Sequence, residues 1–304
     1  MGYKLVTYDA GKGPRAGIIA GDRLIDAAEA SGNAAYATML GILGDWTNAD
    51  KRLAELAADS GTKGGPIDWK QLLAPVPMPG AIYCAGANYG DHVREMNAAQ
   101  GRGPEPDPHT LGLKAWHFIK SSHAVVGPGA AVKIPPASKK MDWEVELVAV
   151  IGKIAKNVSE ADALGYVAGY SVANDVSARD LGWRPPIPTT SPFYSDWLAH
   201  KSFDGSCPLG PWIVPAGDVA NPQTLGIRLW VNGTLKQDSN TSEMIFTLAE
   251  QIAQLSLRIT LHPGDLILTG TPAGVGAGRN EFLKAGDTLE LWCETVGTLK
   301  HTMA

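Results

Sequence analysis

An α+β fold built mostly of β-strands is predicted by three features of this 304-residue sequence. Apolar runs of strand length recur along the chain, 35 glycines and 21 prolines are spread between them as turn formers, and helical periodicity is confined to a few short pieces. A hydrophobic share of 44% against 19% charged residues fits a globular core and not a disordered chain. The length has room for one large domain, or one with a small appendage. A formal net charge of −5 gives no reason to expect nucleic acid or an anionic membrane as partner. No apolar run is long enough to span a bilayer, and Met1 to Val6 carry neither a secretory nor a myristoylation pattern. Cys84, Cys207 and Cys293 stand far apart without CxxC pairing. They read as small buried thiols in a reducing cytoplasm, not as a disulfide framework or a zinc site.

Taken in order, Lys4 to Tyr8 and Ala16 to Ala20 read as strands around the Gly11-Lys12-Gly13-Pro14 turn. Residues 47–59 place Leu53, Leu56 and Ala57 on one helical face. The stretch from Leu73 to Gly80 holds three prolines and reads as a rigid connector, which divides a small leading domain (1–73) from a larger one (74–304). Beyond it, Ile82 to Ala85, Val145 to Ile151, Tyr166 to Val172, Leu225 to Val231, Asp265 to Thr269 and Thr288 to Cys293 have strand length and bounded ends. Ser242 to Leu257 carries an apolar stripe of Ile245, Leu248, Ala249, Ile252 and Leu255, which reads as helix packed on a core. Ala98 to Thr110, rich in Gly, Pro and Asp, reads as a long mobile loop within a lid region of about 88–120.

The sharpest chemical signal is Asp142-Trp143-Glu144-Val145-Glu146 running into five apolar residues. In a strand, residues i and i+2 share a face, so Glu144 and Glu146 stand side by side, roughly 6.5–7 Å apart along the backbone. Two carboxylates entering a core repel one another and resist desolvation, and a divalent cation between them relieves both costs. A second strand-like run ends at Asn174-Asp175, with Arg179 four residues on, on the same side if a helical turn begins there. Asp175 then reads as an N-cap, a third ligand, or both. Three carboxylates without Cys or His suit Mg2+ or Mn2+ rather than Zn2+. Farther upstream, a Gly-rich turn leads to His92 and Glu95 three apart on one helical face, a pair suited to general-base work. Lys201 offers a cationic anchor. The Gly-rich stretch Thr269 to Gly278 lacks Gly-Lys-Ser/Thr and does not fit GxGxxG, so Thr271 reads as a contact for a small anion, not as part of a nucleotide loop.

These pieces together resemble the fumarylacetoacetate hydrolase superfamily, especially its acylpyruvase branch. The resemblance rests on Asn88-Tyr89 through Glu95, Phe118 to Ser122, Val126-Gly127-Pro128-Gly129, Asp142 to Gly152, Asn174 to Asp180, Lys201 to Asp204, Pro208 to Pro211 and Gly264 to Gly276, in the family's order. It implies a mixed β-roll or sandwich around the metal, a homodimer, and Glu144, Glu146 and Asp175 as ligands of Mg2+ or Mn2+. It implies His92 and Glu95 as the acid–base pair carried on the lid, and Tyr89, Arg179, Lys201 and Thr271 as substrate contacts, with Lys201 also catalytic. One departure stands out: many relatives carry Gln three residues after the Arg, where this chain has Gly182. The resulting expectation is a cytoplasmic hydrolase of 2,4-dioxo acids. The cation chelates the 1-carboxylate and 2-oxo oxygens, His92 held by Glu95 activates water against C4, and cleavage of C3–C4 leaves a pyruvate enolate steadied by Lys201. An oxo-acid decarboxylase, a tautomerase or isomerase, or a sugar-acid dehydratase is the alternative, since all share the enolate.

Overall fold

The Val145–Ile151 strand carries seven consecutive buried residues, and its two faces show why no polar alternation was needed. Val145, Leu147, Ala149 and Ile151 pack toward a core that includes Ile227, Leu229 and Leu291. Val148 and Val150 pack toward another that includes Trp46, Ala49 and Leu53. A strand covered on both sides is a continuous apolar run. The computed structural model describes residues 2–304, and Met1, the first residue of the expected leading domain, lies outside them.

This strand is central in the larger of two main sheets. Val167–Asn174 pairs with it antiparallel on one side and Leu266–Leu268 on the other. Ile82–Ala85 then adds in parallel to Leu266–Leu268, and His117–Lys120 closes that flank. On the opposite flank, Val167–Asn174 pairs with Cys207–Pro215, which pairs with Lys4–Asp9 through Leu5 and Ile213. Pro14–Ala20 and Arg23–Asp26 continue the same sheet. A five-stranded sheet built around Gly226–Val231, Thr288–Cys293 and Gly297–Met303 stacks on one face. The mixed, mostly β architecture expected from the sequence is the one observed. Among the described residues no helix is long and apolar enough to cross a membrane. All three cysteines are buried and unpaired.

Two expected elements differ. The Ser242–Leu257 helix begins only at Leu248, because Thr247 and Glu250 form a reciprocal capping box there and the residues before it turn as a 3-10 helix. The 98–110 loop is partly structured. The Gly90–Ala99 helix enters it and a 3-10 turn, Pro108–Leu111, leaves it. His109 then ties the turn down, with Nε2 2.9 Å from Glu250 Oε1 and its ring 4.7 Å from that of Phe246.

Candidate active site

Two strand ends and one short helix bring the charged residues together. Glu144 immediately precedes the central strand and Glu146 is its second residue, Asp175 follows the end of Val167–Asn174, and Lys201 closes the five-residue helix Trp197–Lys201. One carboxylate oxygen from each of Glu144, Glu146 and Asp175 lies within 4.8 Å of the others, and all three residues are buried. The i, i+2 spacing thus produces the expected pair, and antiparallel pairing of the two strands adds Asp175, whose N–H donates to the Glu144 carbonyl at 3.0 Å.

Cations surround this cluster unevenly. Lys201 Nζ donates to Glu144 Oε2 at 2.8 Å and to Asp175 Oδ2 at 2.7 Å. Lys120 Nζ donates to Asp175 Oδ1 at 2.6 Å, and Arg179 reaches both Asp142 and Glu144. Four carboxylates (Asp142, Glu144, Glu146 and Asp175) therefore meet three cations (Lys120, Arg179 and Lys201). Glu146 is the acid left over: among the described residues no Lys, Arg or His lies within ion-pair distance of it, and its one hydrogen bond comes from Gly270 N at 2.7 Å. Burial, reinforced by Asp175 and Glu144, pushes its pKa well above the usual carboxylate range. Glu144 goes the other way. Burial raises it, but Lys201 and Arg179 outweigh that and hold it at about 2. An all-oxygen donor set with one uncompensated carboxylate fits a hard divalent cation such as Mg2+ or Mn2+.

Arg179 reaches its partners without the helical turn expected after Asp175. The chain runs on as a two-residue strand, Ser177–Ala178, before a 3-10 turn, so Arg179 contacts Asp142 and Glu144 and Asp175 caps no helix. The Gly-rich segment is also resolved. Gly270 N donates to Glu146, Gly274 N to Glu95 at 2.7 Å, and Gly276 N to Asp142 at 2.6 Å. Its backbone donors bind the protein's own carboxylates, which agrees with the absence of a nucleotide loop. Gly270 and Gly274 sit at φ +97° and +101°, the left-handed region that favours glycine.

The lid pair is not joined. His92 faces the pocket near Glu144, but Glu95 turns to Gly274 N, and no hydrogen bond links the two among the described residues. His92 Nδ1 is buried with no partner, and burial lowers the ring's pKa, so the imidazole is neutral near pH 7. Tyr89, expected to touch substrate, is fully buried in the core, with its hydroxyl unpartnered and absent from the pocket wall. It precedes the first helical turn as an extended residue whose ring turns inward. Thr271 does line the pocket, but its hydroxyl donates to the Val145 carbonyl at 3.0 Å and accepts from Gln237 Nε2 at 2.9 Å.

Sequence reasoning assigned no role to Asp142 or Lys120. Asp142 stands two residues before Glu144 on the same face and binds Arg179 and two backbone N–H groups of the Gly-rich segment. Alternation could have found it. Lys120 sits 55 residues from Asp175, and no local spacing links them. Trp116, Phe118, Trp183 and Trp197 were equally unforeseen, and they form one wall of the cavity of about 590 Å3 above the carboxylates.

Comparison with known proteins bears on this geometry. Residues 81–304 match the family model described as fumarylacetoacetate (FAA) hydrolase C-terminal. The chain is 42% identical over 230 residues to "oxaloacetate tautomerase Fahd2a, mitochondrial" of Rattus norvegicus, covering 75% of this chain and 67% of that protein. It is 43% identical over 232 residues to "oxaloacetate tautomerase fahd2, mitochondrial" of Xenopus laevis, covering 76% and 67%. Both names give those relatives a mitochondrial location. Among solved structures, maleylpyruvate hydrolase from Sphingobium sp. SYK-6, in complex with manganese(II) and pyruvate, superimposes with TM-score 0.74 at 29% identity, covering 99% of this chain and 98% of that one.

Proposed function

Because the chain belongs to the fumarylacetoacetate hydrolase family, we propose that it is a divalent-metal-dependent tautomerase that interconverts the keto and enol forms of an oxaloacetate-type 2-oxo acid. The observation that carries this reading is the parting of His92 from Glu95, taken with relatives above 40% identity that bear the tautomerase name. Hydrolysis needs a base poised to activate water. Tautomerisation needs only a neutral base and a group that steadies the enolate.

A cation held by Glu144, Glu146 and Asp175 supplies, when bound, Lewis acidity toward the substrate's carboxylate and 2-oxo oxygens. The chain's own groups do the rest. The neutral His92 imidazole takes the proton from C3, and the C3–H electron pair becomes the C2=C3 bond. The charge that builds on O2 is met by the Lys201 ammonium. Burial pushes that ammonium down, but Asp175 and Glu144 prevail and hold its pKa above the usual lysine value. The proton on His92 then passes to O2, and the enol leaves with the atoms of the keto form. Arg179, fixed by Asp142 and Glu144, keeps the acidic end of the substrate in register.

Cleavage of an acylpyruvate, the activity expected from the sequence, keeps the same inner residues, and the manganese-bound hydrolase structure lends it some support. The two separate in one experiment. The purified chain is loaded with Mn2+ and given oxaloacetate, followed by loss of enol absorbance, and acetylpyruvate, assayed for released pyruvate. The expected outcome is rapid enol loss, abolished by a chelator, with little pyruvate released. Comparable pyruvate release with no acceleration of enol loss restores the hydrolase and removes the tautomerase.

A further inference from the structure

The wall of the cavity changes character over a short distance. Lys201 Nζ, whose partners are the buried carboxylates, lies 5.3 Å from the centre of the Phe118 ring. Phe118 stacks on Trp197 at 5.3 Å with 27° between planes. Trp197 in turn meets Trp116 and Trp183 edge-on, each at 5.7 Å. Moving outward from the lysine, the walls are aromatic, and the three tryptophans keep 44% (Trp116), 41% (Trp183) and 37% (Trp197) of their surface open. Large apolar surface left open at a pocket mouth marks a place where something apolar binds.

Two glycines make this arrangement possible. A Cβ on Gly86 would stand 2.0 Å from Cζ2 of Trp116, and one on Gly182 would stand 2.8 Å from Nδ1 of His200. At Gly182 the missing side chain gives His200 its place beneath the tryptophans. The His200 ring lies 5.5 Å from Trp197 and 6.3 Å from Trp183. It is buried in the pocket wall, and neither nitrogen has a protein partner. Burial, together with Lys201 and Arg179, lowers its pKa to about 2, so this ring adds no charge to the wall. The remaining cation on the lining is Lys140, over Phe282 at 5.6 Å.

We infer that the outer half of the pocket is an aryl subsite, formed by Trp116, Phe118, Trp183 and Trp197 over His200, and that the chain takes 2-oxo acids bearing a planar aromatic group on C3. The inference rests on the tautomerase reading for its chemistry and on these rings for its specificity. With the oxo-acid head at Lys201 and Arg179, an aryl ring on C3 reaches Phe118 and slots against Trp197, where stacked and edge-to-face contacts add to its burial. The bond changes are those of the parent reaction, and the C2=C3 bond formed is conjugated with the ring.

The test measures binding and turnover separately on the Mn2+-loaded chain. Calorimetric titration compares phenylpyruvate with 2-oxobutanoate, which has the same head and no ring. Phenylpyruvate is expected to bind at least roughly tenfold more tightly, and Trp183→Ala and Trp197→Ala each to erase most of that advantage. In turnover, the same variants are expected to lower the ratio of kcat/KM for phenylpyruvate over oxaloacetate by roughly tenfold. Equal affinities for the two probes, or an advantage that survives in both variants, overturn the aryl subsite even if oxaloacetate is turned over. Failure on oxaloacetate with tight, tryptophan-dependent phenylpyruvate binding overturns the parent tautomerase reading and leaves the subsite standing. Trp183 is partly exposed on a loop, so its variant remains informative if Trp197→Ala fails to fold.

Discussion

The inner and outer halves of the pocket are built on opposite physical plans. The inner half packs four carboxylates and three cations into a buried space, where every charged group but Glu146 has an ion-pair partner among the described residues. The outer half is made of neutral rings, partly open to water, that touch without hydrogen bonds. In the inner half, losing one group strands another in a low-dielectric site. In the outer half, losing a ring removes contact area and little else. Chemistry is therefore invested where substitution is costly and selectivity where it is cheap, which leaves the substrate's substituent free to change while the reaction stays fixed.

Four measurements test this contrast. Glu146→Gln is expected to have the largest effect, a loss of Mn2+-dependent turnover beyond the roughly 10–100-fold typical of residues that only support ligands. Metal titration against rate checks it, with circular dichroism showing that the fold survives. Full activity in that variant sinks the metal assignment. Lys120→Met removes a buried partner of Asp175 and is expected to cost about 3–5 kcal/mol in urea unfolding, the range for breaking a buried pair. A change below about 1 kcal/mol would show that the inner half tolerates imbalance after all.

The third measurement uses pH. His301, buried behind the cluster, accepts from Asn174 Nδ2 at 2.9 Å, and Asn174 Oδ1 accepts from Glu144 N. Burial lowers the His301 pKa to about 4, so the fold favours its neutral form. The unfolded chain binds the proton more readily, so stability is whole above about pH 6.5 and falls as pH drops toward 4, by on the order of 3 kcal/mol at the limit. Unfolding midpoints in that window check it, and His301→Gln is expected to reduce the slope, the part that is left belonging to the buried imidazoles of His117 and His200. The smallest effect belongs to the outer half: Trp183→Ala is expected to shift unfolding by less than about 1 kcal/mol while altering substrate preference. A large loss of stability there would mean the rings are structural and would blur the distinction between the halves.

Legibility in the sequence followed the same division. Glu144 and Glu146 were readable because a period of two is local and the apolar tail that buries them is adjacent. Asp175 was readable as the end of a second run. Lys120 was not, because its partnership with Asp175 comes from the pairing of distant strands. The capping box that delays the 248–258 helix was present in the sequence as Thr247 and Glu250, but the apolar stripe extends past it and hid the start. The His92–Glu95 spacing predicted a dyad because residues three apart share a helical face. It could not show that Gly274, 179 residues from Glu95, offers that carboxylate a better donor. The aromatic mouth is assembled from 116–118 and 183–197, so only the folded chain brings it together.

The leading hairpin has a consequence of a different kind. Lys4–Asp9 meets Cys207–Pro215, the strand that follows Lys201 in the chain, at Leu5 and Ile213. Removing the hairpin would uncover the edge of that strand around Ile213, and a bared strand edge can pair with another molecule. The hairpin thus covers part of this edge, and loosening it is expected to appear first as aggregate in size-exclusion chromatography, before any change in the chemistry.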